Sequence, residues 1–233
     1  MSIFKGRLKL EYEISITHHG LPIGGVPCLI MRQDWDDGFL KIIKKHKIKS
    51  IVMNYVKFAN GIEFLEKLQG FGIRDISIQL ATVKDIRPLI YLKDSLECLS
   101  LELDFTQAPD FTDFTKLWCV GTDWRAKAKS ILKSKTITQL GLGKHSFETM
   151  EAFSEMPQLE SLQLGYGKLK TLKGIEDLPN LSEFGVFLCR ALESLIGIQH
   201  APLLTPEKTI ITKCKQITPD SPYAEYETFN DLV

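Results

Sequence analysis

The sequence predicts an α/β solenoid: an arc with a concave parallel β-sheet, short 3-10 or helical segments on the convex side, and an N-terminal β-hairpin cap. Three observations predict it. Apolar residues fall at offsets 0, 3, 5 and 10 in one stretch after another, and the copies start 18 to 25 residues apart. That spacing is neither helical nor strand-like on its own, since a helix repeats at about 3.6 and a strand at 2. It fits a turn that leads into a short strand and out again. Lastly, several linkers between copies share a second pattern, apolar-x-x-apolar-x-x-apolar-Pro-x-Leu. Self-similarity at such a period marks a chain of stacked units, each too small to bury its own apolar face.

The first element is not a repeat. Residues 1–47 open with Leu8, Leu10, Tyr12, Ile14 and Ile16 alternating with polar residues, a strand with one apolar face. The turn-rich stretch His18 to Gly25 follows, and Val26 to Met31 reads as the returning strand. A solenoid end exposes its stacked core and needs a cap, so this hairpin is assigned as the N-terminal cap. Trp35 to His46, with Phe39, Leu40, Ile42 and Ile43, reads as a short helix leading into the first repeat.

The solenoid proper spans 48–217 and should hold about eight strands. Its copies begin with Ile48, Ile51, Met53, Phe58 and continue with Ile73, Ile76, Ile78, Val83. Leu96, Leu99, Leu101, Thr106 and then Phe114, Leu117, Cys119, Trp124 come next. The clearest copies are Ile137, Leu140, Leu142, Phe147, then Leu159, Leu162, Leu164, Leu169, then Leu181, Phe184, Val186, Ala191. A degraded copy, Thr209, Ile211, Cys214, closes the series. Residues 218–233, with two prolines and four acids, form a tail or C-terminal cap in which Tyr223, Tyr226 and Phe229 are the available anchors.

These residues resemble the leucine-rich repeat, L-x-x-L-x-L-x-x-N/C-x-L. The linkers Met150-Phe153-Met156-Pro157-Leu159, Leu172-Ile175-Leu178-Pro179-Leu181 and Leu195-Ile198-Ala201-Pro202-Leu204 look like the short-helical subclass shared by internalins and nuclear phosphatase regulators. The chain departs from that family at the asparagine slot, which reads Val56, Ala81, Asp104, Thr122, His145, Gly167, Cys189 and Cys214. The asparagine ladder that ties turns together in the family is therefore largely missing. The resemblance implies a non-catalytic module that binds another protein on its concave face.

Strand alternation turns the template into a surface map, because the residues between the core positions face the concave side. The map gives columns Ser50, Asp75, Cys98, Lys116, Gln139, Ser161, Glu183; then Val52, Ser77, Ser100, Trp118, Gly141, Gln163, Gly185; then Asn54, Gln79, Glu102, Val120, Gly143, Gly165, Phe187. Gly141, Gly143, Gly165 and Gly185 cluster in it. Glycine weakens a strand and often marks close approach of another backbone. Trp118, Val120 and Phe187 flank this floor and Tyr166 stands at a strand exit, as aromatic anchors do at interfaces. The expected partner-binding surface is thus Trp118, Val120, Gly141, Gly143, Gln163, Gly165, Tyr166, Gly185 and Phe187, extended by the polar Ser77, Gln79, Ser100 and Glu102.

Composition narrows the partner class. Lys+Arg and Asp+Glu both number 29, so no global basic field favours nucleic acid or anionic membranes. The local run Arg125, Lys127, Lys129, Lys133, Lys135 reads as a solvated linker face. No apolar run approaches the length needed to span a bilayer, and the start lacks a signal-peptide core; a cytoplasmic protein is expected. The five cysteines are widely spaced, with no C-x-x-C pair. Cys119 is placed in a leucine slot, and Cys189 and Cys214 in asparagine slots, as buried structural thiols. No cofactor or metal is implied. Two protein-binding roles fit: an inhibitor or immunity-type protein that sequesters a partner, favoured because one surface occupies the whole chain, or a regulatory adaptor. The different-class alternative is a hydrolase or transferase using His145 or the His18-His19 loop.

Overall fold

The computed structural model describes residues 12–15, 26–54, 61–79 and 82–214. The described residues form one sheet of ten strands lying in chain order. β1 (Tyr12–Ser15) pairs antiparallel with β2 (Cys28–Met31), so the expected N-terminal hairpin is present. β2 then pairs in parallel with β3 (Ser50–Met53), and every later pairing is parallel. β4 (Asp75–Gln79), β5 (Cys98–Glu102), β6 (Cys119–Asp123), β7 (Gln139–Gly143), β8 (Ser161–Gly165), β9 (Glu183–Phe187) and β10 (Thr209–Thr212) complete it. The helix α1 (Gly38–His46) connects β2 to β3, turning Phe39 and Ile43 into the core. The slots at Val56 and Ala81, the His18-His19 loop and the 218–233 tail lie outside the described residues.

Short linkers leave room only for tight returns, and the convex side is built from 3-10 turns such as Arg87–Leu92, Met150–Phe153 and Ile175–Asp177. Each sends apolar side chains inward, among them Leu89, Phe153 and Ile175, against the template leucines. Leu140, Leu162 and Phe184 are buried at equivalent places in β7, β8 and β9. Burying a side chain of this size contributes about 2 kcal/mol, and the stack repeats that contribution along one continuous core.

The chain leaves the C-terminal strands by a repeated device. Lys144, Tyr166, Leu188 and Lys213 all take left-handed backbone angles, with φ between 50° and 57°. A non-glycine residue pays roughly 1–2 kcal/mol there. The neighbouring strand offsets it: the Lys144, Tyr166 and Leu188 N–H groups donate to Gly165, Phe187 and Thr212 carbonyls at 2.8, 2.9 and 2.9 Å. The same turn throws the Tyr166 ring outward, where it is 67% exposed.

One repeat sits in a different register from the one its sequence suggests. Cys119, Gly121 and Asp123 pair with Gln139, Gly141 and Gly143, so the template copy is Leu117, Val120, Thr122 rather than Phe114, Leu117, Cys119. Phe114 instead stacks on Phe111 beside the 3-10 turn, at 5.6 Å between ring centres. Thr122 tolerates the core slot because its hydroxyl donates to the Asp123 carbonyl at 3.0 Å.

Candidate functional site

Gly141, Gly143 and Gly165 line a groove of about 490 Å³ on the concave face, together with Asp123, Gln163 and Phe187. They lie on two ladder rows, Gly121, Gly141, Gln163, Gly185 and Asp123, Gly143, Gly165, Phe187, in which Gly121 and Gly185 fall outside the groove lining. The glycines divide by what lies above them. A methyl group added at Gly121 would meet nothing within 4 Å. At Gly141 its first neighbour would be the Gly121 Cα at 3.8 Å, and at Gly165 the Phe187 carbonyl oxygen at 3.9 Å. Gly141 and Gly165 form open floor in the groove, and the open space continues over Gly121 beside it. The Asp123 carboxylate occupies the space over Gly143, and the Phe187 ring lies over Gly185, with Cε2 at 2.7 Å from such a methyl. Tyr166 and Phe187 form one wall, and Asp123, paired with Lys144 at 2.8 Å, forms a charged edge.

The register shift corrects two of the expected groove residues. Val120 is a core residue at 1% exposure, because the shifted template turns it inward. Trp118 lies before β6, half-buried, and its carbonyl accepts from the Thr138 and Gln139 N–H groups at 2.9 Å each. It therefore does not stand beside Gly141. Gly121 and Asp123 take those places, and the expected map missed both.

Much of the N-terminal half of the same face is buried. Ser77, expected as exposed, is fully buried, with Val52 and Ser100 as its ladder partners. Alternation decides which face a side chain takes, not whether that face is wet. Here Cys28, Ile30 and Val52 form a second apolar cluster on it. Gln79 and Ser100 are half-buried, and Glu102 is exposed.

From Cys28 of that cluster a row runs across five strands: Cys28, Ser50, Asp75 and Cys98, all buried, and then Cys119. Ser50 Oγ donates to Asp75 Oδ2 at 2.8 Å and lies 3.3 Å from Cys28 Sγ. Asp75 Oδ1 and Ser77 Oγ find no hydrogen-bond partner among the described residues. Burial pushes the Asp75 carboxyl up to about 6, against the Ser50 hydrogen bond that favours its charge. Burial likewise raises the Cys28 thiol. Cys119 belongs to this row, half-buried on the concave face, and not to a leucine slot.

His145 and Cys189 fill their asparagine slots as a sealed pair. His145 is 2% exposed, stacks on Phe147 at 5.6 Å and places Nε2 3.8 Å from Cys189 Sγ. Its ring occupies the space over Gly167, which only a residue without a side chain leaves free. Burial lowers the His145 pKa and raises that of Cys189. Cys189 and Cys214 direct their thiols at the Leu164 and Val186 carbonyls, both at 4.0 Å, in the places that asparagine would serve. The pair offers a substrate no access. The basic run lies around the convex turn Ala126–Lys133, where Arg125 pairs with Asp104 at 3.1 Å and Lys135 donates to the Glu155 carbonyl at 2.7 Å. Among the described residues no helix is long and apolar enough to cross a membrane, and no three acidic, His or Cys side chains converge as metal ligands.

No family model matches the sequence, and no curated protein matches it. Among solved structures the chain is similar to an internalin from Listeria monocytogenes, with a TM-score of 0.50 and 17% identity over 78% of this chain and 52% of that one. The chain thus spans about half the length of that protein. At this identity the likeness speaks to the fold, and it agrees with the ladder of parallel strands: the fold is a leucine-rich-repeat solenoid.

Proposed function

We propose that the chain is a protein-binding module whose concave face takes an extended segment of another protein on the floor of Gly141 and Gly165. The observation that carries this is the pairing of open glycines with aromatic walls. The floor lets a second backbone approach closely, while Tyr166 and Phe187 supply rigid area to grip side chains. The polar residues Gln163 and Glu102 and the Asp123–Lys144 pair supply orientation around it. Sequestration by an inhibitor or immunity-type protein is the role favoured, because the described residues form one solenoid. An adaptor would need a second docking surface. A cytoplasmic location fits the five free cysteines, which persist in reducing compartments.

Selection of displayed random peptides against the folded protein tests the groove directly. Peptides enriched on the wild type should bind Gly141→Leu, whose side chain fills the floor, and Tyr166→Ala/Phe187→Ala at least about tenfold more weakly, while the convex Lys129→Ala binds them normally. Peptides that bind all four proteins equally would remove the groove as the site. For the sequestration role, the captured partner's own activity should fall in proportion to added protein; an undiminished activity leaves the adaptor.

A further inference from the structure

Cys98 and Cys119 lie 21 residues apart in the sequence but are direct partners across the β5–β6 ladder. Adjacent strands run about 4.8 Å apart, and a disulfide spans Cα separations of roughly 4.4–6.8 Å. Both side chains point to the concave face, so the two sulfurs lie one strand spacing apart, and closing the bond draws the Cβ atoms from about 4.8 Å to about 4 Å, a local adjustment. The two thiols are near enough to influence each other's charge. Access to them is unequal. Cys98 is sealed at 0% exposure, while Cys119 is half-buried. Two residues along from Cys119 on the same face is Gly121, with nothing within 4 Å above it, which leaves room for a small reagent.

We propose that Cys98 and Cys119 form a redox-active dithiol, a modification site that a small-molecule disulfide converts to an intramolecular disulfide. The Cys119 thiolate attacks one sulfur of the reagent. The reagent's S–S bond breaks, a mixed disulfide forms on Cys119, and the first thiolate leaves and takes up the proton that Cys119 released. Cys98 then gives its proton to solvent and attacks the Cys119 sulfur. The second reagent thiolate leaves and is protonated in turn. The protein loses two hydrogens and two electrons, and the small disulfide gains them as two thiols. The order follows from access, since only Cys119 meets the reagent. The same order suits the electrostatics: the Cys98 hydrogen bond holds the Cys119 thiol below the ordinary thiol range and raises that of Cys98. Cys189 and Cys214 are the contrast, both buried, and their thiols are raised by burial.

The experiment incubates the folded protein with oxidised glutathione, quenches with acid, alkylates in denaturant and weighs the product. Five cysteines are present; the expected wild-type product carries three alkyl groups. Trypsin cuts after Lys116, so the bond should appear as a linked pair of peptides 94–116 and 117–125. Cys98→Ser should stop at a mixed disulfide on Cys119, and Cys119→Ser should leave all its thiols free to alkylate. Full alkylation of the oxidant-treated wild type, a Cys189–Cys214 link, or a mixed disulfide on Cys119 that persists in the wild type would each overturn the proposal.

Discussion

Asp75 makes stability depend on pH in a direction opposite to most carboxylates. Its side chain is fully buried, its ladder partners are Ser50 and Cys98, and neither is a cation. The folded chain therefore favours the neutral acid, with a pKa of about 6 against an ordinary 3.8. Stability falls with rising pH wherever the folded state binds more protons than the unfolded one. For Asp75 that window runs from about pH 4 to about pH 6, and the loss is complete above it. The gap of roughly two pH units corresponds to about 3 kcal/mol. Asp75→Asn keeps an oxygen to accept from Ser50 and cannot ionise. The amide's own N–H groups cost an amount that does not vary with pH, about 1–3 kcal/mol if left unpaired. Exposed carboxylates that are lowered by partners, such as Asp104 beside Lys84 and Asp110 beside Thr112, give both proteins the same opposing slope. The difference between wild type and variant isolates Asp75. Urea unfolding followed by tryptophan fluorescence should show the variant improving relative to wild type by about 3 kcal/mol between about pH 4 and pH 7.5. A difference that stays constant to within about 0.5 kcal/mol across that range would refute the buried, neutral Asp75.

Three further substitutions probe the packing. Gly167→Ala drives a methyl into the His145 ring and should lower stability by about 1–3 kcal/mol, as overpacking does; combining it with His145→Ala should recover part of that loss, a coupling readable in thermal unfolding. Phe153, fully buried and edge-on to Phe147 at 5.5 Å, should cost about 3–5 kcal/mol when cut to alanine, seen as a lower urea midpoint. Arg74 makes a two-pronged contact to Glu97 at 2.8 and 2.6 Å while its side chain stays 42% exposed; Arg74→Ala should cost at most about 1 kcal/mol, and less in high salt.

The repeat was legible because core packing enforces it. Leu159, Leu162 and Leu164 recur in Leu181, Phe184 and Val186, and each must reach the same stack. The shift at β6 was less legible, because Phe114, Leu117 and Val120 offer apolar side chains to two registers three residues apart. Apolar content favoured the wrong one, since the right one puts Thr122 in the core. Spacing carried the better signal: starting the copy at Leu117 gives intervals of 21 and 20, where Phe114 gives 18 and 23. With that choice Asp123 falls into the groove, Gly121 falls beside Gly141, and Cys119 falls beside Cys98.

Which part of the concave face is available to a partner was not legible at all. Pleating assigned Ser77 and Gly141 to one face on equal terms. In the folded chain Ser77 lies in a sealed row with Val52, while Gly141 lies on open floor. Only surface that loses water on association adds to affinity, so the two ends of one sheet do different work. Changes in the sealed row, at Ser50, Asp75 or Ser77, act on stability and its pH dependence. Under the proposed function, changes at Tyr166 act on affinity and leave the fold alone, since its ring is already largely in water. Cys119 stands at the border between the two regions, which is why it alone among the cysteines of the buried row is open to a reagent.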